Sequence, residues 1–240
     1  GETEISPRFF REAERLMKQG VAVCAASGRQ YKSLRHLFAP LADRMYFLCE
    51  NGALVYMPGE PPKLLSKTVI DRALSLELCR DILEIPGCEL LISGANMSYL
   101  CPKTESYLDH IRYFVGNNVT VLDSPQEMPE DFVKISAYYL PGAEHLEPML
   151  VPKWGKRLGA AIAGKCWLDF TLADKATGIR ALYSALNVTA EETMAFGDNY
   201  NDVPMLDAVG HPYIMASAAE SLRQRYANRC ARPEDVMEKL

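Results

Sequence analysis

Long apolar runs are missing from this sequence. No stretch is long enough to cross a bilayer as a helix, and no signal segment opens the chain, so no membrane partner is expected. Cysteine occurs seven times but never as C-x-x-C, and no Cys/His pairs stand at ligand spacing. That gives no disulfide framework and no zinc site. Cys24, Cys49 and Cys166 sit inside apolar runs, where a reduced thiol behaves as a small hydrophobe, and a cytoplasmic location is expected. An excess of positive charge is also missing: 26 Lys and Arg against 31 Asp and Glu leave a formal net charge of -5. The balance gives no electrostatic case for a nucleic-acid partner or an anionic membrane surface. Internal repeats and low-complexity segments are absent too. What is present is ordinary globular composition, 48% hydrophobic and 24% charged over 240 residues, enough for one or two domains.

The opening reads as a helix, with Ser6 as N-cap, Pro7 in the first turn and Gly20 at the stop. "VAVCAA" (Val21 to Ala26) has the character of a buried parallel strand, and "YKSLRHLF" after it has helical spacing. "MYFLCENGALVY" predicts two strands broken at Glu50-Asn51-Gly52, and "MPGEPPK" is a turn. The pattern then changes. Helices such as "VIDRALSLELCRDILEI" and "ESYLDHIRYFV" mix with strands that read as antiparallel, including "CELLISG" and "MSYLC" around the turn "GAN", and "FVKISAYYL". From "CWLDFTL" onward strand and helix alternate again, through "TMAFGD", "DVPMLDAV" and "PYIMA". The expectation is an α/β protein: a Rossmann-like core with one parallel sheet, residues 1–56 and 166–240, and an inserted α+β cap domain, residues 57–165. The cap is expected to move and gate the site.

The polar clusters all fall at predicted strand ends, where ligands bind in open parallel sheets. Each has an ordinary reading. Ser27-Gly28-Arg29 alone is a cap for the next helix, Asn51 before Gly52 is a turn, and Lys175 is a solvated lysine at a helix start. The run Asp198, Asn199, Asn201, Asp202 is a helix cap with one acid too many. Read together, they are a hydroxyl with exposed N–H groups, a lysine and a carboxylate cluster, the components of phosphoryl transfer with magnesium.

"AASGRQ", "ENGALVY", "DFTLADKATGI" and "FGDNYNDVPML", in that order, resemble the later motifs of the haloacid dehalogenase superfamily, most closely the Cof-type phosphatases with a type IIB cap. The resemblance covers nearly the whole chain. It implies magnesium-dependent hydrolysis of small phosphorylated metabolites, often sugar phosphates, through an aspartyl-phosphate. It implies that Ser27 bonds the transferred phosphoryl group, with Gly28 and Arg29 beside it, and that Lys175 neutralises its charge. Asp198 would hold magnesium directly, Asn201 and Asp202 would finish or support the metal site, and Asn51 would face the substrate. Catalytic roles thus fall to Ser27, Lys175 and Asp198. Ser27 stands where Thr is commoner and Ala176 where Gly is commoner. The first motif of the family, Asp-x-Asp, occurs nowhere in the 240 residues, and the expectation is that the nucleophile lies N-terminal to Gly1. A non-catalytic relative that binds a phosphorylated metabolite or a protein partner is the alternative, and a phosphomutase is a third reading. Replacing Lys175 by Ala is expected to slow turnover far more than it destabilises the fold.

Overall fold

A computed structural model of the chain describes residues 4–95, 97–115 and 118–240. Gly1 to Thr3 of the opening segment and Asn96 of the "GAN" turn lie outside the described residues. The chain divides into two compact units, Gly1–Ser66 with Asp174–Leu240, and Lys67–Ala173.

In the first unit, α1 (Pro7–Lys18) starts as its sequence indicates: the Ser6 hydroxyl accepts from the Phe9 N–H, and Pro7 occupies the first turn. β1 (Cys24–Ala26) leads to α2 (Tyr31–Leu37) and then to β2 (Tyr46–Cys49), and the two strands pair in parallel with Ala26 opposite Leu48. After Glu50-Asn51-Gly52 the chain reverses into β3 (Leu54–Met57), antiparallel to β2, and β4 (Lys63–Lys67) completes a four-stranded sheet.

The second unit opens with α3 (Arg72–Glu84), β5 (Cys88–Ser93) and β6 (Ser98–Leu100). α4 (Glu105–Asp109), β7 (Val119–Val121), β8 (Lys134–Tyr139), α5 (Glu147–Trp154), β9 (Gly159–Ile162) and β10 (Trp167–Thr171) follow. The strands form one sheet in the order β7-β6-β5-β8-β10-β9, antiparallel except between β6 and β7. Period-two alternation sends Leu90, Ile92, Ile135, Leu168 and Phe170 to one face, where they pack with Leu78 and Ile82 of α3 and Trp154 of α5. Leu91 and Leu100 point to the other face and pack with Tyr107 and Ile111.

The chain then returns to the first unit through α6 (Lys175–Leu186), β11 (Met194–Gly197), α7 (Val203–Asp207), β12 (His211–Met215), α8 (Glu220–Arg225), β13 (Arg229–Cys230) and α9 (Glu234–Met237). β11, β12 and β13 pair in parallel. One apolar cluster joins both sheets of this unit, with Leu48 and Val55 from the first, Ala195 and Ile214 from the second, and Ile179, Leu206 and Leu222 from the helices. α1 is tied to α9 by Arg8, which pairs with Asp235 and Glu238.

Two expectations change. The single parallel sheet is two sheets sharing one core, with β1 and β11 each at an edge. The strand in "CWLDFTL" belongs to the inserted unit, because Leu168 and Phe170 enter that unit's core and Asp169 stands in register between Ser136 and Ala161. Both crossings therefore lie further along the chain than the sequence suggests, after Ser66 and Ala173 rather than at residues 57 and 166. Among the described residues, no helix is long and apolar enough to cross a membrane.

Candidate active site

The loop after β1 is laced to the loop after β2. The Ser27 N–H donates to the Leu48 carbonyl (2.9 Å), and the Ser27 carbonyl accepts from the Asn51 N–H (3.1 Å). The Arg29 carbonyl accepts from the Glu50 N–H (3.1 Å), and the Ser27 hydroxyl accepts from the Arg29 N–H (3.2 Å). Glu50, Asn51 and Gly52 all take positive φ, at 48°, 55° and 98°. Such a run is costly for non-glycine residues, least so for Asn, and these lacing bonds hold it. The turn brings the Asn51 amide so near Gly28 that a Cβ on Gly28 would sit 3.0 Å from Asn51 Oδ1. Arg29, two residues before α2, donates to the Ser33 hydroxyl in that helix at 3.3 Å.

The start of α6 packs on this turn. Asp174 caps the helix by accepting from the Thr177 N–H at 2.8 Å, and Thr177 Oγ1 accepts in return from the Asp174 N–H at 3.3 Å. Gly52 lies against the Asp174 carbonyl, leaving no room for a Cβ. Lys175, the first helical residue, is only 5% exposed, which rules out the solvated surface lysine. Its Nζ donates to the Ala26 carbonyl at 3.3 Å and to Asp202 Oδ1.

Asp202, 4% exposed, works with both oxygens. Oδ1 receives Lys175, and Oδ2 accepts from the backbone N–H groups of Asp198 (2.9 Å) and Asn199 (3.0 Å). A Cβ on Gly197 would stand 2.6 Å from the Cβ of Asp202, so glycine there allows the loop to fold back. Asp198 itself is exposed, and its carboxyl titrates above the ordinary aspartate value, first through partial desolvation and then through the charge of Asp202. The Asn201 amide donates to Asn51 Oδ1 at 3.1 Å, so a predicted metal-site residue and a predicted substrate-facing residue are bonded to each other.

Ser27, Asn51, Lys175, Asn201 and Asp202 are thus brought together by direct bonds or through the Ala26–Ser27 backbone. Arg29 is turned toward Ser33. Among the described residues, no group of three or more His, Cys, Asp and Glu side chains gathers at a possible metal site. Of the two carboxylates, Asp198 is the exposed one, while both oxygens of Asp202 already hold donors. Sequence reasoning missed Asp202 as the clamp of the Asp198–Asn199 backbone, and also the part of the Ala26 carbonyl. The four-residue spacing of the two aspartates around Asn199 was the available signal for the first.

Residues 1–235 match the sequence model of the haloacid dehalogenase-like hydrolase family. One relative is the 5-amino-6-(5-phospho-D-ribitylamino)uracil phosphatase YbjI of Escherichia coli strain K12, 25% identical over an alignment of 229 residues that covers 90% of this chain and 79% of that protein. Among solved structures, a haloacid dehalogenase-like hydrolase from Bacillus subtilis superposes with a TM-score of 0.84 at 19% identity, covering 99% of this chain and 94% of that one. The subclass IIB sugar phosphatase BT4131 superposes with a TM-score of 0.81 at 18% identity, covering 98% and 92%.

Proposed function

This chain belongs to the haloacid dehalogenase-like hydrolases, and from that premise we propose that it is a magnesium-dependent phosphatase of small phosphorylated metabolites such as sugar phosphates. The observation that carries the reading is the buried Lys175–Asp202 pair beneath the Ser27 loop, with the exposed Asp198 beside it. A lysine at a helix start, held below the surface, is a fixed positive charge where a phosphoryl group would gain most from it. Its charge is balanced by Asp202, and Asp198 adds a further negative charge. A phosphate dianion is repelled by that set unless a divalent cation joins it. Asp198 would hold the ion, with Asn201 beside it and Asp202 in support, and the ion would supply charge neutralisation of the phosphoryl oxygens. Ser27 and the N–H groups of its loop would take the phosphate oxygens, and Asn51 would face the ester. No Asp-x-Asp pair occurs among the 240 residues, so the roles assigned here are binding, charge neutralisation and metal support. The ribityl phosphate handled by the YbjI relative falls in the proposed substrate class. All seven cysteines are free.

The test is phosphate release from a panel of sugar and sugar-alcohol phosphates by the full-length protein, with and without magnesium. Release from at least one ester that requires the ion supports the reading. Tight binding of the esters with no release from any of them would replace it with the non-catalytic binder.

A further inference from the structure

The inserted sheet ends in two strands, β7 and β9, and they differ in how their open edges are kept. On β7 the pairing with β6 uses alternate residues. The Asn118 carbonyl accepts from the Ser98 N–H (2.7 Å), and the Leu122 N–H donates to the Leu100 carbonyl (2.8 Å). Backbone groups of a strand turn to its two edges in alternation, so Thr120 also serves β6, and the N–H and C=O of Val119 and Val121 point to the open edge. Among the described residues no other strand pairs with β7. Natural edges are commonly guarded by Lys, Pro or a bulge. Val119-Thr120-Val121 has none of these: it is uncharged, in unbroken register, and β-branched at every position, the composition that extends a sheet most readily. β9 is guarded. It lies between exposed Lys156 and Lys165, and two copies pairing there antiparallel about the strand's centre would set these lysines opposite each other.

The open edge of β7 is complementary to itself. In an antiparallel pair, opposed residues that exchange two hydrogen bonds alternate with opposed residues that exchange none. With a twofold axis beside Thr120, Val119 of each copy lies opposite Val121 of the other. Each such pair exchanges two bonds, while Thr120, already committed to β6, needs none. The side chains fit the same register. Val119 packs with Leu91, Leu100 and Tyr107 on one face of the sheet, and Val121, on that face by alternation, is 43% exposed. Pairing sets each Val121 against the other copy's Val119 and continues an apolar cluster that a single copy leaves open. Beside the strand, between α3 and residues 121–126, runs a groove of about 580 Å³ lined by Leu76, Leu83 and Val121 with Arg80, Glu84 and Asp123. One cation and two acids allow that groove to meet its own copy without a large surplus of like charge.

We propose that β7 is a self-association edge: two copies of this chain pair their β7 strands antiparallel about a twofold axis at Thr120 and join their inserted sheets into one. The inference stands on the inserted unit alone and does not depend on the phosphatase reading. Three residues a side make a small contact, so a reversible dimer with a micromolar Kd is expected. The experiment is sedimentation velocity of the full-length protein across the micromolar range, with amide hydrogen exchange read at its dilute and concentrated ends. A monomer–dimer equilibrium is expected, with the Val119 and Val121 amides exchanging more slowly in the concentrated sample. Val121→Pro deletes an outward N–H and leaves every bond to β6, and proline is tolerated on such an edge. Thr120→Lys keeps the backbone whole and sets two ammonium groups face to face at the axis. Each should raise the dimer Kd at least about tenfold, through lost hydrogen bonds in the first and like-charge repulsion in the second. Both should melt close to the parent, and the lysine variant carries the test alone if the proline lowers the melt. A parent that stays monomeric throughout, or a dimer that Thr120→Lys and a folded Val121→Pro both leave intact, overturns the proposal. So does a dimer in which the Val121 amide gains no protection, since another surface then holds the copies together.

Discussion

A lysine in the first turn of a helix faces the positive end of the helix dipole, and Lys175 is in addition removed from water. Asp202 is buried as deeply, and each charge is tolerable only because of the other. Beside the expected loss of turnover, the geometry gives losing Lys175 a stability cost of its own. Lys175→Met leaves the Asp202 carboxylate uncompensated and should destabilise the protein by ~3–5 kcal/mol. Asp202→Asn removes the partner, so the double variant should be much less unstable than the sum of the two, with a coupling of at least about 1 kcal/mol in a denaturant-melt cycle. Additive effects would mean the pair is not a unit. Asp198 behaves oppositely. Its folded-state carboxyl titrates above the unfolded value, so the folded protein binds the extra proton, and stability is lost as pH rises through the window between the two values. In metal-free protein at neutral pH, Asp198→Asn should therefore melt no lower than the parent. The parent should gain melting temperature with magnesium and the variant should not. A variant that still gains with magnesium would place the ion elsewhere. The lysine and the aspartates were legible in the sequence as candidates. Their pairing was not, since it joins residues 27 positions apart through a fold-back that no local pattern announces.

At the scale of elements, the site rests on how closely the Glu50-Asn51-Gly52 turn meets the start of α6. Gly52 combines a φ of 98° with contact against the Asp174 carbonyl, so an added methyl group has neither a permitted backbone angle nor space. Gly52→Ala should destabilise by roughly 2–4 kcal/mol, the sum of overpacking and a strained φ. Gly20 is the control: its φ is also positive, at 89°, but nothing lies within 4 Å, and Gly20→Ala should lose only about 1 kcal/mol. Equal losses in urea titrations would show that the contact with α6 is unimportant. Turn chemistry of this kind is readable, because Asn-Gly after an apolar strand predicts positive φ. Strand partnership is not. "CWLDFTL" alternates as a strand should, yet its place in the inserted sheet depends on Ser136 and Ala161, which flank Asp169 from other parts of the chain. The same alternation, in "VKISAYY" and "WLDFT", held the signal of the buried Lys134–Asp169 ion pair, visible only once the two strands are known to be neighbours.

For the molecule as a whole, the question is whether the insertion is an independent folding unit. It has its own apolar core, with Leu78, Ile82, Leu90, Ile135, Trp154, Leu168 and Phe170 all fully buried, and among the described residues its six strands form one sheet with no strand of the other unit. The chain enters and leaves it at one place: the Ile70 N–H donates to the Phe132 carbonyl at 2.7 Å, and Thr171 Oγ1 lies 3.5 Å from the carbonyl of the next residue, Val133. A unit whose two ends flank the same pair of residues can be joined to another domain, or cut from it, without stretching its backbone. Residues 67–173 expressed alone should therefore fold, showing a cooperative thermal transition and dispersed amide resonances. In the intact chain the same unit should unfold in a step that is not abolished by Gly52→Ala, because that substitution acts on the other unit's core and turn. The two predictions fail differently. A collapsed fragment without a cooperative transition would show that the insertion takes its stability from the rest of the chain. A folded fragment, combined with a single transition in the intact protein that Gly52→Ala shifts as a whole, would show two competent units unfolding as one. Hydrogen exchange separates these cases, since the β5 and β8 amides should keep their protection when the first unit is destabilised, and lose it only if the units are coupled.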